Sequence, residues 1–129
     1  MSEEYIDFVN SVTSDSTKQQ IDFIEALNIM EEQGAIPSRL LTTALGLNGE
    51  AAEFSELIKK CIFQGREYTD EIHAELKSEL SDIMWYIAQG CIALDTTIDE
   101  LMEINTHKLQ ERYPDGFDKG RSNARYMNE

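Results

Sequence analysis

The apolar residues of this chain fall in helical register over successive segments. At about 100° per residue, Leu47, Ala51, Phe54, Leu57, Ile58 and Cys61 share one stripe. Leu76, Leu80, Ile83, Ile87 and Leu94 make a second, and Ile98, Leu101, Met102 and Leu109 a third. Ile21, Ile24, Leu27 and Met30 mark an amphipathic helix that starts at Thr17 and ends near Gly34, a C-capping glycine. Tyr5, Phe8, Val9 and Val12 give a short N-terminal helix, followed by a polar loop from Thr13 to Ser16.

Local chemistry sets the boundaries. Pro37-Ser38 opens a long helix with Ser38 as its N-cap, and Gln64-Gly65-Arg66 closes it after Phe63. Thr69 or Asp70 caps the next, which runs from Asp70 to about Leu94. Asp95-Thr96-Thr97 is a short break, with Thr97 and Glu100 forming a capping box for a helix that reaches about Arg112. Almost no stretch alternates with the period of a strand. The expected class is all-α, with an antiparallel four-helix-bundle core, a short N-terminal helix and a C-terminal tail. We expect one domain over residues 1–129, with its core at about 38–117, an N-terminal extension over 1–16 and a tail over 113–129. The tail opens with turn chemistry from Tyr113 to Phe117.

Polar residues interrupt three of these stripes. Glu50-Ala51-Ala52-Glu53 and Glu79-Leu80-Ser81-Asp82 each set two carboxylates three residues apart, neighbours on a helix face. Glu50 and Glu79 fall inside their stripes; Glu53 and Asp82 fall on the edges. A carboxylate aimed at a core is costly unless paired, and the stripes contain no comparable supply of Lys or Arg. If the two helices are antiparallel, the four acids meet, and a multivalent cation answers them best. Oxygen-only ligands suit Mg²⁺ or Mn²⁺. The plainer reading is a set of rim acids on solvated faces.

The third interrupted stripe has the opposite chemistry. Asn105 lies in its middle, with Lys108 and Arg112 following on the same face. Beside an acidic cluster these read as donors to an anionic ligand, with Arg matching phosphate by its planar fork. Lys60 lies on the Glu53 side of its helix. Tyr86 lies beside Glu79 and Asp82, where its ring can flank a base or fill the core. Gly46 and Gly49 sit inside a helix at a cost in propensity, which a close approach by a neighbour or ligand would offset.

Composition narrows the partners. A net charge of −14 over 129 residues argues against nucleic acid as a general partner. The little positive charge gathers late: Arg112, Lys119, Arg121 and Arg125 against Asp115 and Asp118. No apolar run is long enough to span a bilayer, no signal peptide is evident, and Cys61 and Cys91 suggest no disulfide framework. A reducing cytoplasm is the expected home. Trp85 lies roughly opposite Ile83, with Met84 and Ala88 beside it, so that helix is apolar on a second face. We expect a homodimer or homotetramer, unless the N-terminal helix covers Trp85.

Taken together, Gly46-Leu-Asn-Gly49-Glu50-Ala-Ala-Glu53, Lys59-Lys60, Glu79-Leu-Ser-Asp82-Ile-Met-Trp85-Tyr86 and Asn105-Thr-His-Lys108-Leu-Gln-Glu-Arg112-Tyr113-Pro114 resemble the MazG family over about Leu45 to Phe117. The extension and tail are similar to the compact single-domain MazG-like proteins that phages often carry. The resemblance implies an all-α nucleoside triphosphate pyrophosphohydrolase that converts an NTP or dNTP to the monophosphate and pyrophosphate. It implies Mg²⁺ held by Glu50, Glu53, Glu79 and Asp82, and nucleotide phosphates and sugar contacted from Lys60, Asn105, Lys108 and Arg112. The chain departs from the family pattern at Ala52 and Ser81, where glycine is usual. Glu53, at the edge, is our choice to activate water. If the chain is phage-encoded, the expected home is the host cytoplasm. A di-iron enzyme is disfavoured because neither His73 nor His107 has Glu three residues before it. The alternative from another class is a catalytically silent nucleotide-binding or regulatory bundle acting through its acidic surface.

Overall fold

Pro37 stands at the first position of the longest helix, where its fixed φ suits helix entry and its missing N–H is no loss. In a computed structural model that describes residues 2–124, the elements are α1 (Glu3–Ser11), α2 (Asp15–Lys18), α3 (Gln20–Glu32), α4 (Pro37–Phe63), α5 (Asp70–Leu94), α6 (Ile98–Arg112) and α7 (Lys119–Ala124). The all-α class holds, with no strand among the described residues. The chain divides into two compact units, Met1–Leu94 and Asp95–Glu129.

In the first unit α4 and α5 are the framework, each roughly 40 Å long at 1.5 Å per residue. They run antiparallel: Leu57 packs with Ile72 and Leu76 near one end of the pair, while Thr43 meets Gly90 near the other. Phe54, Ile58 and Cys61 surround the first cluster. Ile72, 1 % exposed, is the most enclosed of these, and full burial of such a side chain stabilises by about 1.5–3 kcal/mol. The connection is short. The Arg66 N–H returns to the Lys60 carbonyl, Gly65 takes a positive φ, and the Thr69 hydroxyl accepts from the Ile72 N–H to cap α5.

Several boundaries differ from expectation. Ser38 lies inside α4; Ile36 is the N-cap and offers no side-chain bond. The segment from Thr17 is two helices, α2 and α3, broken at Gln19, whose backbone is extended. Gly34 does end α3, in the left-handed region, with Ala35 N–H bonded to Met30 and Gly34 N–H to Glu31. The stripe proposed for α5 is turned: Leu80 and Leu94 are exposed, while Ile72, Gly90 and Cys91 are buried.

In the second unit Thr97 caps α6 by accepting from the Glu100 N–H at 3.1 Å. The reciprocal half of the capping box is replaced, because the Glu100 carboxylate takes the Thr96 hydroxyl instead. After the turn at Gly116, residues expected to be a polar tail form α7, capped by Asp118 through the Arg121 N–H at 2.7 Å. Arg125, counted with the late basic residues, lies outside the described residues.

Candidate metal and nucleotide site

Glu50 lies two turns before Leu57 on α4, and Glu79 about one turn after Leu76 on α5. The antiparallel packing that buries the leucines therefore brings the acids together. Glu50, Glu53 and Glu79 each place a carboxylate oxygen within 4.8 Å of the others. Glu50 and Glu79 are half-buried, and Glu53 is exposed. Asp82 is exposed and stands outside that group of three.

Glu79 shows the electrostatic cost most clearly. Its Oε2 is enclosed with no hydrogen-bond partner. Burial pushes its carboxyl above the usual carboxylate range, and the negative charges of Glu53, Glu50 and Asp82 push the same way. A hydrogen bond to Glu50, which only the protonated acid can donate, adds to the shift. The neighbouring cations are engaged elsewhere. Lys59 pairs with Glu56 at 2.6 Å and Lys60 more loosely at 3.8 Å, and the Lys59 contact holds Glu56 below its usual range. Arg66 reaches Glu75 at 3.8 Å. Among the described residues, no ion pair includes Glu50, Glu53 or Glu79.

This donor set fits a hard divalent cation. It offers only oxygens, it converges, and one of those oxygens lacks a partner. Residues 39–117 match the MazG nucleotide pyrophosphohydrolase domain. The chain belongs to the MazG family. The chain is 36% identical to the Gene 37 protein of Mycobacterium phage L5 over 83 residues, covering 63% of this chain and 72% of the phage protein. No solved structure matches it. The cluster of three acids lies inside the MazG match, as do Lys60, Tyr86, Asn105, Lys108 and Arg112.

Tyr86 is half-buried on α5, its ring against the backbone of Gly46 and edge-on to Trp85 at 4.9 Å between centroids. One face of the ring is thus used in helix packing, the core-filling role. Gly49 has no protein neighbour that its missing side chain would admit. Asn105, Lys108 and Arg112 all lie on α6 of the second unit, the first two exposed. Arg112 places its guanidinium 5.9 Å from the Tyr113 ring centre, and its carbonyl accepts from Arg121 at 3.2 Å. The inward aim of Glu79 was foreseen, and the Gly90–Thr43 contact was not. Gly90, an interior helix glycine between Gln89 and Cys91 on α5, was the one available signal for that contact.

Proposed function

We propose that this chain hydrolyses nucleoside or deoxynucleoside triphosphates to the monophosphate and pyrophosphate in a Mg²⁺-dependent reaction. The observation that carries this reading is the convergence of Glu50, Glu53 and Glu79 around an unpartnered Glu79 oxygen, within a MazG match. Glu50, Glu53, Glu79 and Asp82 are assigned as the ligands of Mg²⁺, with Mn²⁺ as a substitute. A divalent cation held there supplies neutralisation of phosphate charge and a more acidic bound water. Glu53, the exposed member of the cluster, is assigned to orient or deprotonate that water. Lys60, Asn105, Lys108 and Arg112 are assigned to the phosphates and sugar from their places in the family pattern, and Tyr86 to the border of the nucleotide pocket. The cytoplasm, that of the host where the chain is phage-encoded, is the assigned setting.

A panel of NTPs and dNTPs with Mg²⁺, followed by nucleotide separation and a pyrophosphate readout, tests this. Monophosphate and pyrophosphate should appear together, without free diphosphate. Stepwise orthophosphate release would show that the terminal phosphate is attacked and sink the assignment. Binding of nucleotide without turnover would favour the silent regulatory bundle.

We also infer a homodimer or homotetramer. Trp85 is 55 % exposed and Leu80 50 %, with Met84 beside them on α5 and Leu41 and Leu45 exposed on α4. Such residues suit a stable interface, which buries about 800 Å² per partner. Light scattering at micromolar concentration should give a dimer or larger, and Trp85→Ala should shift it toward smaller species. A fully active monomer would refute the inference.

A further inference from the structure

Two different contacts bracket the acidic cluster along the α4–α5 seam. On one side is the apolar packing of Leu57, Ile72 and Leu76. On the other, one turn before Glu50, is Gly46. A Cβ there would overlap the ring of Tyr86, lying under 3.0 Å from Cε1, Cδ1 and Cζ. One turn further along, a Cβ on Gly90 would come within 3.0 Å of the Thr43 methyl carbon. Gly49 differs, since a Cβ there would have no neighbour within 4 Å.

Glycine in a helix interior is conformationally unfavourable, so a buried contact that only glycine admits is informative. The overlap at Gly46 reaches Cδ1, next to the ring's point of attachment, as well as the outer ring atoms. Moving the far end of the ring does not relieve it. Either α5 moves away from α4 or Tyr86 abandons its rotamer, and Trp85 packed edge-on at 4.9 Å and 88° restricts the second route.

We propose that Gly46 is a positioning residue for the acidic site. Its missing side chain seats the Tyr86 ring against α4, and that seat sets the spacing at which Glu50 on α4 meets Glu79 on α5. The wedge acts close to the donors, because Gly46 is one turn from Glu50 and Tyr86 two turns from Glu79. Mg²⁺ and Mn²⁺ sites respond to small displacements, since octahedral oxygen ligation tolerates little variation in distance. The link to metal affinity rests on the function proposed above; the seat itself rests on packing alone.

The test uses the full metal-free chain carrying Gly46→Ala, Tyr86→Ala, both, or Gly49→Ala, with Tm and Mn²⁺ affinity (by electron paramagnetic resonance of free Mn²⁺) as readouts. Helix propensity alone makes a glycine-to-alanine change raise Tm by a few degrees, and Gly49→Ala should do so. Gly46→Ala should instead lower Tm and weaken Mn²⁺ binding by about tenfold, as loss of outer support for ligands does. In the Tyr86→Ala background the same change should raise Tm and leave that background's Mn²⁺ affinity unaltered. Were Gly46→Ala to raise Tm and bind Mn²⁺ like wild type, or to do equal damage in both backgrounds, the proposal would be overturned. If Gly46→Ala fails to fold, a folded double variant supports the seat and an unfolded one refutes it. If wild type binds no Mn²⁺, the metal assignment fails on its own, and reversal of the Tm change between backgrounds still judges the seat.

Discussion

The two halves of the α4–α5 seam are built from the same helical repeat and do opposite things. Around Leu57, Ile72 and Leu76 the facing residues are apolar, and closing the helices removes them from water. One to two turns away the facing residues are Glu50, Glu53 and Glu79, and closing the helices drives like charges to within 4.8 Å and strands a carboxylate oxygen. The apolar half stabilises the hairpin. The acidic half, without a cation, works against it, and the first half is what makes the second affordable. If the cluster holds a cation as proposed above, its binding relieves that repulsion and is coupled to folding.

The largest effect expected from breaking this contrast lies in the acidic half. Glu50→Gln and Asp82→Asn should each lower turnover of the best substrate by at least about 100-fold, because each removes charge from a cation that contributes several kcal/mol to such reactions. Both variants should keep a wild-type circular dichroism spectrum, since neither touches the apolar half. Full activity in both would falsify the four-carboxylate assignment. Next comes the apolar half: Leu76→Ala should cost about 2–5 kcal/mol in urea unfolding, with Mg²⁺ in place. A loss below about 1 kcal/mol would mean that the cluster can collapse around the gap or is stabilised by other contacts.

A smaller effect is expected on the second unit. Lys108→Ala and Arg112→Ala should raise KM for the triphosphate, lower kcat, or both, by roughly tenfold, as loss of a charged contact of about 1.5–3 kcal/mol would. Stability should change little, since Lys108 is exposed on α6. If both variants match wild type in KM and kcat, the Asn105, Lys108 and Arg112 face is structural, and the phosphates are held elsewhere.

How far the sequence foretold this contrast depends on which forces act locally. The ExxE and ExxD spacing and the apolar stripes are properties of one helix, and they placed Glu50 and Glu53 correctly on α4 relative to Leu57. The phase of α5 is set by its partner. Its inward face is centred near Ile72, Glu79, Ile83 and Gly90, which turns it roughly 40° from Leu76 and leaves Leu80 outside. Counting apolar residues cannot show that, because Leu80 is as hydrophobic as Leu76, and the rotation moves Glu79 deeper than its neighbours suggest. Helix α7 was missed for a different reason. Lys119 to Ala124 has no apolar period, and its cap at Asp118 and the Arg121 bond to Arg112 substitute for one. The break at Gln19 has no Gly or Pro to announce it.

The finest test of the contrast is its pH dependence without metal. Glu79 has a raised folded pKa, so in the window just above the ordinary carboxylate range the folded protein binds more protons than the unfolded chain. Stability from this group is therefore greatest below the unfolded pKa and declines as pH rises through the folded value. In the metal-free protein, wild-type Tm relative to that of Glu79→Gln should rise as pH is lowered from neutral into that window, because Gln cannot titrate. At neutral pH, Glu79→Gln should be the more stable of the two, since it removes an enclosed negative charge among Glu50, Glu53 and Asp82. Millimolar Mg²⁺ should reverse the ranking at neutral pH, since the cation favours the ionised acid that the variant lacks. A constant difference in Tm across the pH range, with and without Mg²⁺, would mean that Glu79 feels neither burial nor its neighbours. The acidic half of the seam would then be an ordinary solvated face.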